Sequence, residues 1–157
     1  VGYMELFRGL YQEMNAQNVF PLLSSAITSG QTFYIFGDDY ETRDGSCIRD
    51  YIHVSDIADA HVKALNYLIE KKNSKQTSIF NLGTGNGVSV FECIHSFEKV
   101  SHQKLNYHIG KRRPGDVINI YANNTLAKSL LNWQPKFNLD DMMLSAWKWE
   151  LNLKNNK

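Results

Sequence analysis

Short segments rich in β-branched and aromatic residues alternate in this sequence with longer segments whose apolar residues recur at helical spacing. Strand-like character is concentrated in residues 32–36 and 77–82, and helical periodicity is clearest in residues 55–70 and 89–100. This alternation of strands and helices predicts an α/β fold. A length of 157 residues suits one domain with enough chain to bury a core.

Capping residues mark where the helices begin and end. Ser55, Ser89 and Asn138 are predicted to cap helices, and Glu92, three residues after Ser89, completes the pattern of a capping box. Gly30 is predicted to close the first helix. The predicted helices cover residues 19–27, 55–70, 89–100, 125–131 and 139–153. The predicted extended segments cover residues 32–36, 48–54, 77–82, 105–109 and 118–122, and residues 1–18 are predicted to be irregular.

Charge and cysteine content limit the function classes. The formal net charge of +1 gives little long-range attraction to nucleic acid or to an anionic membrane, so any anion site must be local. No apolar run has the length of a membrane span, and the first residues lack the pattern of a signal peptide. Cys47 and Cys93 are too few for a disulfide scaffold and predict free thiols in a reducing, cytoplasmic compartment. No metal site is predicted.

Two motifs resemble enzyme signatures only superficially. Tyr67 and Lys71 have the Tyr-x-x-x-Lys spacing of a proton-transfer pair, but they fall at a helix end beside a polar linker. The glycine turn at residues 83–87 follows a strand-like segment, yet its third glycine comes one residue too early for a dinucleotide-binding turn. Both are interpreted as structural features.

Three arginines are candidates for binding a phosphorylated ligand, because the guanidinium fork matches phosphate oxygens. They are Arg49, Arg112 and Arg113. The residues alone leave open that 111–113 is an ordinary solvated loop. They also leave open whether Tyr34 and Phe36 line a ligand slot or belong to the core.

Six segments are similar, in order, to the C-terminal half of the UDP-glucose 4-epimerases, which belong to the extended short-chain dehydrogenase superfamily. The resemblance runs from about Asn18 to Trp149. The segments are Phe36-Gly-Asp-Asp-Tyr40, Asp44-Gly-Ser-Cys-Ile-Arg-Asp-Tyr-Ile-His-Val54, Asp56-Ile-Ala-Asp-Ala-His61, Phe80-Asn-Leu-Gly-Thr-Gly85, Arg112-Arg-Pro-Gly-Asp116 and Trp147-Lys-Trp149.

The resemblance implies inversion at C4 of the hexose in UDP-glucose and UDP-galactose, through a 4-keto intermediate and with NAD, as part of galactose metabolism. In that family the catalytic Tyr, Lys and Ser or Thr and the glycine fingerprint lie upstream of the matching region. Residues 1–157 are therefore expected to be the C-terminal substrate-binding domain, with the N-terminal NAD-binding half absent. No catalytic or cofactor-binding residue is expected in this fragment, which should be inactive alone. The complete enzyme is expected to be a homodimer.

The resemblance also implies roles for ten residues of this chain. Asn18 and Val19 would contact the nucleotide-sugar, and Tyr34, Ile35 and Phe36 would hold uracil. Arg49 and Arg113 would bind the diphosphate, with Tyr51 beside it. Asp116 would hold the ribose, and Ile120 would face the hexose. Two positions depart from the family. Tyr34 stands where a smaller residue is usual, and Ile120 stands where the family varies between Tyr and Cys. The intermediate size of Ile120 favours acceptance of N-acetylated hexoses.

Two alternatives remain. One is another nucleotide-sugar enzyme of the superfamily, such as a dehydratase or decarboxylase, although the loop at residues 38–47 favours the epimerases. The other is a nucleotide-binding module without chemistry of its own. If the chain is the substrate-binding half, the helix at 55–70 and the strand at 79–82 are expected to pack against the other half. The isolated chain should then expose apolar surface.

Overall fold

The computed structural model describes residues 18–155, so the irregular start predicted for residues 1–18 lies, except for Asn18, outside the described residues. The described part contains five helices and four short strands, and the predicted α/β class is confirmed. In chain order the elements are α1 (Val19–Ser29), β1 (Phe33–Phe36), β2 (Ile48–Arg49), α2 (Val54–Ile69), β3 (Val88–Ser89), α3 (Val90–Ser101), β4 (Tyr107–Gly110), α4 (Thr125–Leu131) and α5 (Leu139–Asn155).

The strands form two small sheets. β1 pairs in parallel with β4, in a register that sets Phe33 opposite Tyr107. β2 pairs antiparallel with β3, and Ile48 also bridges to Asn119. Because successive side chains of a strand point to opposite faces, β1 buries Phe33 and Ile35 and exposes the two aromatic residues between and after them. Within residues 18–155, β1 pairs only with β4, and its other edge is left to line a cleft.

The apolar core has two parts. The larger part lies between α1, α3, α5 and β1, and its fully buried members include Leu23, Ile35, Phe97 and Met143. The smaller part lies between α2 and α4 around Trp133, which is also fully buried. The cleft lies beside the larger part, so packed elements support its walls.

Most of the predicted helix ends are confirmed. Gly30 closes α1 at φ 69°, a left-handed conformation that glycine adopts without strain. Ser89 and Glu92 form the capping box of α3. Asn138 Oδ1 accepts the Asp141 backbone N–H at 3.0 Å at the start of α5.

The predicted cap of α2 is wrong by two residues. The N-cap is His53, whose Nδ1 accepts the backbone N–H of Ser55 at 3.1 Å. The His53 ring stacks on Phe137, with centroids 4.2 Å apart, and this contact fixes the imidazole in the capping position. Sequence reasoning overlooked it because the stacking partner lies 84 positions away.

Two extended predictions also need correction. No strand forms over residues 77–82, because no neighbouring strand within residues 18–155 offers hydrogen bonds to this segment. Its residue Ile79 is 77% exposed. The segment predicted as extended over residues 48–54 forms a strand only at Ile48 and Arg49.

A buried carboxylate joins α2 to the chain that follows α4. Asp56 is 1% exposed, and its side chain accepts the backbone N–H groups of Lys136 at 3.0 Å and Phe137 at 3.2 Å. The indole N–H of Trp133 donates to the Asp56 carbonyl at 2.9 Å. A buried carboxylate is tolerated where such donors satisfy it, and this one fixes the loop at residues 133–137.

Candidate functional site

A cleft of about 440 Å³ opens between the start of α1, the unpaired edge of β1 and the chain around Arg49 and Arg113. Of the candidate site residues named from the sequence, all except Arg112 and Ile120 lie on its wall. These residues are Asn18, Val19, Tyr34, Ile35, Phe36, Arg49, Tyr51, Arg113 and Asp116. The fold therefore brings together side chains from segments almost 100 positions apart.

Two guanidinium groups converge on one carboxylate in the cleft. Arg113 donates to both oxygens of Asp116, through Nε at 3.2 Å and Nη2 at 3.3 Å. Arg49 Nη2 lies 3.5 Å from Asp116 Oδ1, while its Nη1 donates to the carbonyl oxygens of Ile48 and Val117. Each guanidinium has five N–H donors, so both keep further donors for an anionic ligand.

Arg112 lies outside the cleft, although it was a candidate alongside its neighbour. Its Nε donates to Asp39 Oδ1 at 2.7 Å, and its guanidinium lies over the Tyr40 ring, 4.3 Å from the centroid. This guanidinium also lowers the pKa of the Asp39 carboxyl. Arg112 thus binds Asp39 outside the cleft, whereas Arg113 binds Asp116 inside it, and their adjacent positions in the sequence do not reveal this difference.

Aromatic side chains form another wall of the cleft. The Arg113 guanidinium lies over the Phe36 ring, 4.5 Å from its centroid. Tyr34 is 57% exposed and meets His108 of the neighbouring strand edge to face, at a centroid distance of 5.7 Å. These exposed rings on a strand edge provide an apolar surface on which a planar ring can stack.

Tyr51 presents its ring to the cleft from a more buried position. It packs edge to face against Phe20, with centroids 5.2 Å apart. Burial raises the pKa of the Tyr51 hydroxyl above its usual range. Burial likewise raises the pKa of the nearby Cys93 thiol to about 12. Both cysteines are free and buried, as predicted for thiols.

The start of α1 contributes the remaining predicted residues. Asn18 precedes the helix, and its side chain makes no capping hydrogen bond. Val19 and Leu22 line the cleft from the first turn. Backbone N–H groups of a first helical turn have no partner within the helix and favour negative charge nearby.

Ile120 is not among the residues that line the cleft and lies on the segment that follows Asp116. Its backbone N–H donates to the Ile48 carbonyl at 3.1 Å, and its side chain is 55% exposed. The Tyr67 and Lys71 pair lies elsewhere: Tyr67 is buried against Phe80, and Lys71 is exposed beyond the end of α2.

Sequence reasoning missed several residues of the wall. They are Leu22, Phe33, Gly37, Cys47, Asp50 and Val90. Asp50 could have been noticed, because it stands between two predicted ligand residues. Val90 could not, since only the tertiary fold brings the start of α3 to this place.

A second cavity, of about 620 Å³, lies between α3 and the start of α5. Its cations each have a carboxylate of their own, Arg43 with Glu92 and Lys99 with Asp140. It therefore lacks the pair of guanidiniums sharing one carboxylate that marks the cleft. Within residues 18–155, no cluster of His, Cys, Asp or Glu could hold a metal ion. No helix of that part is long and apolar enough to cross a membrane.

Comparison with known proteins identifies related sequences. The sequence family described as GDP-mannose 4,6 dehydratase matches residues 8–145. The chain is 43% identical over 127 residues to a UDP-glucose 4-epimerase of Rhizobium meliloti (strain 1021), an alignment covering 81% of this chain and 38% of that protein. It is 41% identical over 134 residues to a UDP-glucose 4-epimerase of Bacillus subtilis (strain 168), covering 85% and 39%.

Solved structures agree with these relatives. A UDP-glucose 4-epimerase from Stenotrophomonas maltophila, solved with NAD and formylated UDP-arabinopyranose, is similar with a TM-score of 0.88 at 35% identity. That similarity covers 95% of this chain and 44% of the other. A second structure, from Bifidobacterium longum with NAD+ and UDP, has a TM-score of 0.79 at 35% identity, covering 89% of this chain and 41% of the other. The chain thus spans well under half the length of the proteins it resembles.

Proposed function

The chain belongs to the GDP-mannose 4,6 dehydratase family, and on that premise we propose that it is the UDP-sugar-binding part of a UDP-hexose 4-epimerase. The observation that carries the proposal is the cleft in which Arg49 and Arg113 share Asp116. The complete enzyme would invert the C4 configuration between UDP-glucose and UDP-galactose through a 4-keto intermediate, within galactose metabolism. The names of the relatives favour an epimerase over a dehydratase or decarboxylase of the same superfamily.

Each part of a UDP-sugar has a suitable counterpart on the wall of the cleft. The free N–H donors of Arg49 and Arg113 match the diphosphate oxygens, and Asp116 can accept hydrogen bonds from ribose hydroxyls. The unpaired edge of β1 offers backbone donors and acceptors beside the exposed rings of Tyr34 and Phe36, a combination that suits uracil. The hexose would extend toward Ile120, where acceptance of N-acetylated sugars stays a prediction.

NAD is the cofactor that we propose for the complete enzyme, because similar epimerase structures contain it. The glycine turn at residues 83–87 does not fit its pyrophosphate. The Asp50 carboxylate lies against the turn, 2.0 Å from where a Cβ atom of Gly83 would be, and it already accepts the backbone N–H of Thr84, so this donor of the turn is not available to a phosphate. We therefore assign NAD binding to an N-terminal half of the polypeptide.

That half is also the partner that we propose for the exposed apolar surface. Val62, Leu65 and Ile69, which we call the outer face of α2, recur at helical spacing and are 58%, 57% and 67% exposed. The neighbouring segment at residues 77–82 has the composition of a strand without a strand partner in the described part. A sheet in the N-terminal half would bury the outer face of α2 and would offer a strand partner to residues 77–82. A homodimer stays a prediction from the resemblance, and a cytoplasmic location stays a prediction from the cysteine content.

Product analysis tests the proposed function. The full-length polypeptide, supplied with NAD and UDP-galactose, is expected to form UDP-glucose, whereas residues 1–157 alone are expected to form no product. A dehydrated or decarboxylated product would instead favour another enzyme of the superfamily. UDP binding with no product from the full-length polypeptide would favour a non-catalytic nucleotide-binding module.

A further inference from the structure

We propose that Asp50 is a positioning residue that fixes the segment at residues 116–122 against the rest of the cleft. This segment carries Asp116 and Ile120, and Asp50 lies between the two cleft residues Arg49 and Tyr51. The inference deepens the proposed function and rests on it, because it concerns how the same site is held in shape.

The side chain of Asp50 joins two distant parts of the chain. Its Oδ1 accepts the backbone N–H of Thr84 at 2.9 Å and the Thr84 hydroxyl at 2.7 Å. Its Oδ2 accepts the backbone N–H of Ala122 at 2.9 Å. One carboxylate thus connects the glycine turn at residues 83–87 with the end of the segment that carries Ile120.

The glycine turn is shaped to allow this contact. A Cβ atom on Gly83 would lie 2.0 Å from Asp50 Oδ2 and 2.8 Å from the Ala122 side chain. Only a residue without a side chain lets the turn, the carboxylate and Ala122 approach so closely. The glycine turn, whose spacing does not match a dinucleotide-binding turn, therefore allows the close contact among residues 83–84, Asp50 and Ala122.

Residues 116–122 depend on such hydrogen bonds because they bury little apolar surface. Val117, Ile118, Ile120 and Tyr121 are each at least 40% exposed. Ile48 holds the middle of the segment, donating to the Ile118 carbonyl at 2.9 Å and accepting from Ile120 at 3.1 Å. Asp50 holds its end, at Ala122. Without it, the bonds of Ile48 and the arginine contacts of Asp116 would still hold the first part of the segment, and Asn124, which donates to the Gly83 carbonyl at 2.7 Å, would hold the chain just beyond it.

The contacts of Asp50 also argue against a direct role in binding a diphosphate. A carboxylate on the wall of the cleft would repel the ligand unless its charge were compensated. Three protein donors compensate it here, and they direct both oxygens toward the protein. Asp50 therefore acts through the residues it positions.

The test compares Asp50→Asn with Thr84→Val in the full-length polypeptide, using amide hydrogen exchange and UDP titration. An asparagine cannot accept on both sides, so Asp50→Asn should lose the bond to Thr84 or Ala122. We expect faster exchange at residues 118–122 and a UDP Kd raised about tenfold, because small misplacement of positioning groups is costly. Thr84 does not line the cleft, and Thr84→Val should raise the Kd about threefold through the lost hydroxyl bond.

Asp56→Asn is the matched control, because Asp56 also accepts two backbone N–H groups but lies beside Trp133 in the smaller part of the core, away from the cleft. It should lower the free energy of unfolding without changing the Kd for UDP. The inference is overturned if exchange at residues 118–122 is unchanged in Asp50→Asn, or if the Kd shifts equally in Asp56→Asn. Wild-type polypeptide that binds no UDP would contradict the proposed function, and the exchange data alone would then decide whether Asp50 anchors the segment.

Discussion

Asp44, Asp50 and Asp56 share a task, since each carboxylate joins a loop to a part of the chain distant in sequence. Asp44 accepts from the Ser46 hydroxyl at 2.8 Å and also from the Ser89 hydroxyl at the start of α3. Asp56 accepts from residues about 80 positions away. A carboxylate with several fixed donors restricts where the chain around it can lie. Of the three, Asp50 lies on the wall of the cleft, whereas Asp44 and Asp56 hold parts of the chain outside it.

Substitution of Gly83 tests the close packing around Asp50. We expect Gly83→Ala to lower the free energy of unfolding by about 2 kcal/mol, because the added methyl group overlaps the carboxylate and the Ala122 side chain. Gly110→Ala is the control, since the nearest atom to its Cβ would be the Ile35 carbonyl oxygen at 3.7 Å. The control should change the free energy by no more than about 0.5 kcal/mol in urea unfolding. If the two substitutions lower the free energy of unfolding equally, the close packing around Gly83 is contradicted.

At the scale of elements, the start of α3 carries an ion pair whose contribution depends on pH. Arg43 donates to both carboxylate oxygens of Glu92, through Nε at 2.7 Å and through Nη2, and lowers the pKa of that carboxyl from 4.5. Because the folded-state pKa lies below the unfolded-state value, the stabilisation is complete above about pH 5 and is lost as the pH falls through the lowered value.

Glu92→Gln should therefore lower the free energy of unfolding at pH 7, and its difference from the wild type should shrink below about pH 4.5. Urea unfolding at a series of pH values measures this difference. Glu41→Gln, at an exposed position in the same loop region, serves as the control and should stay within about 0.5 kcal/mol of the wild type throughout. If the difference in free energy of unfolding between Glu92→Gln and the wild type stays constant down to pH 3, the lowered pKa of Glu92 is refuted.

The helices could be predicted from sequence because their determinants are local. Apolar spacing and capping side chains located α1, α3, α4 and α5 to within about two residues. Residues 77–82 have the composition of a strand, but a strand needs a hydrogen-bonding neighbour, and composition does not supply one. The cap of α2 depends on the stacking of His53 on Phe137, which no local pattern reveals.

For the whole molecule, the site was predicted from resemblance rather than from the residues alone. Charge patterns left open whether residues 111–113 form a solvated loop or a ligand site, and they could not separate Arg112 from Arg113. The cleft unites Asn18, the edge of β1, Arg49 and Asp116, which are brought together only by tertiary packing. Asp50 remained unnoticed because its partners, Thr84 and Ala122, lie 34 and 72 positions away, and only tertiary packing brings them to it.

The outer face of α2 gives a prediction at the same scale. The isolated 157-residue chain should bind a hydrophobic dye, because contiguous exposed apolar side chains provide a surface for it. Leu65→Lys combined with Ile69→Lys should lower dye fluorescence, whereas Leu151→Lys, a more buried position on α5, should not lower it comparably. Absence of dye binding by the wild-type chain would contradict an unpaired apolar face.

Calorimetric titration of UDP into the full-length polypeptide tests the central claim, that two guanidinium groups held by one carboxylate bind the diphosphate. With Arg49→Ala and Arg113→Ala combined, the Kd should rise at least about 100-fold, since each lost charge-assisted hydrogen bond contributes about 1.5–3 kcal/mol. Arg112→Ala, which removes the adjacent arginine bound to Asp39, should leave the Kd nearly unchanged. UDP affinity that survives the double substitution would contradict the account.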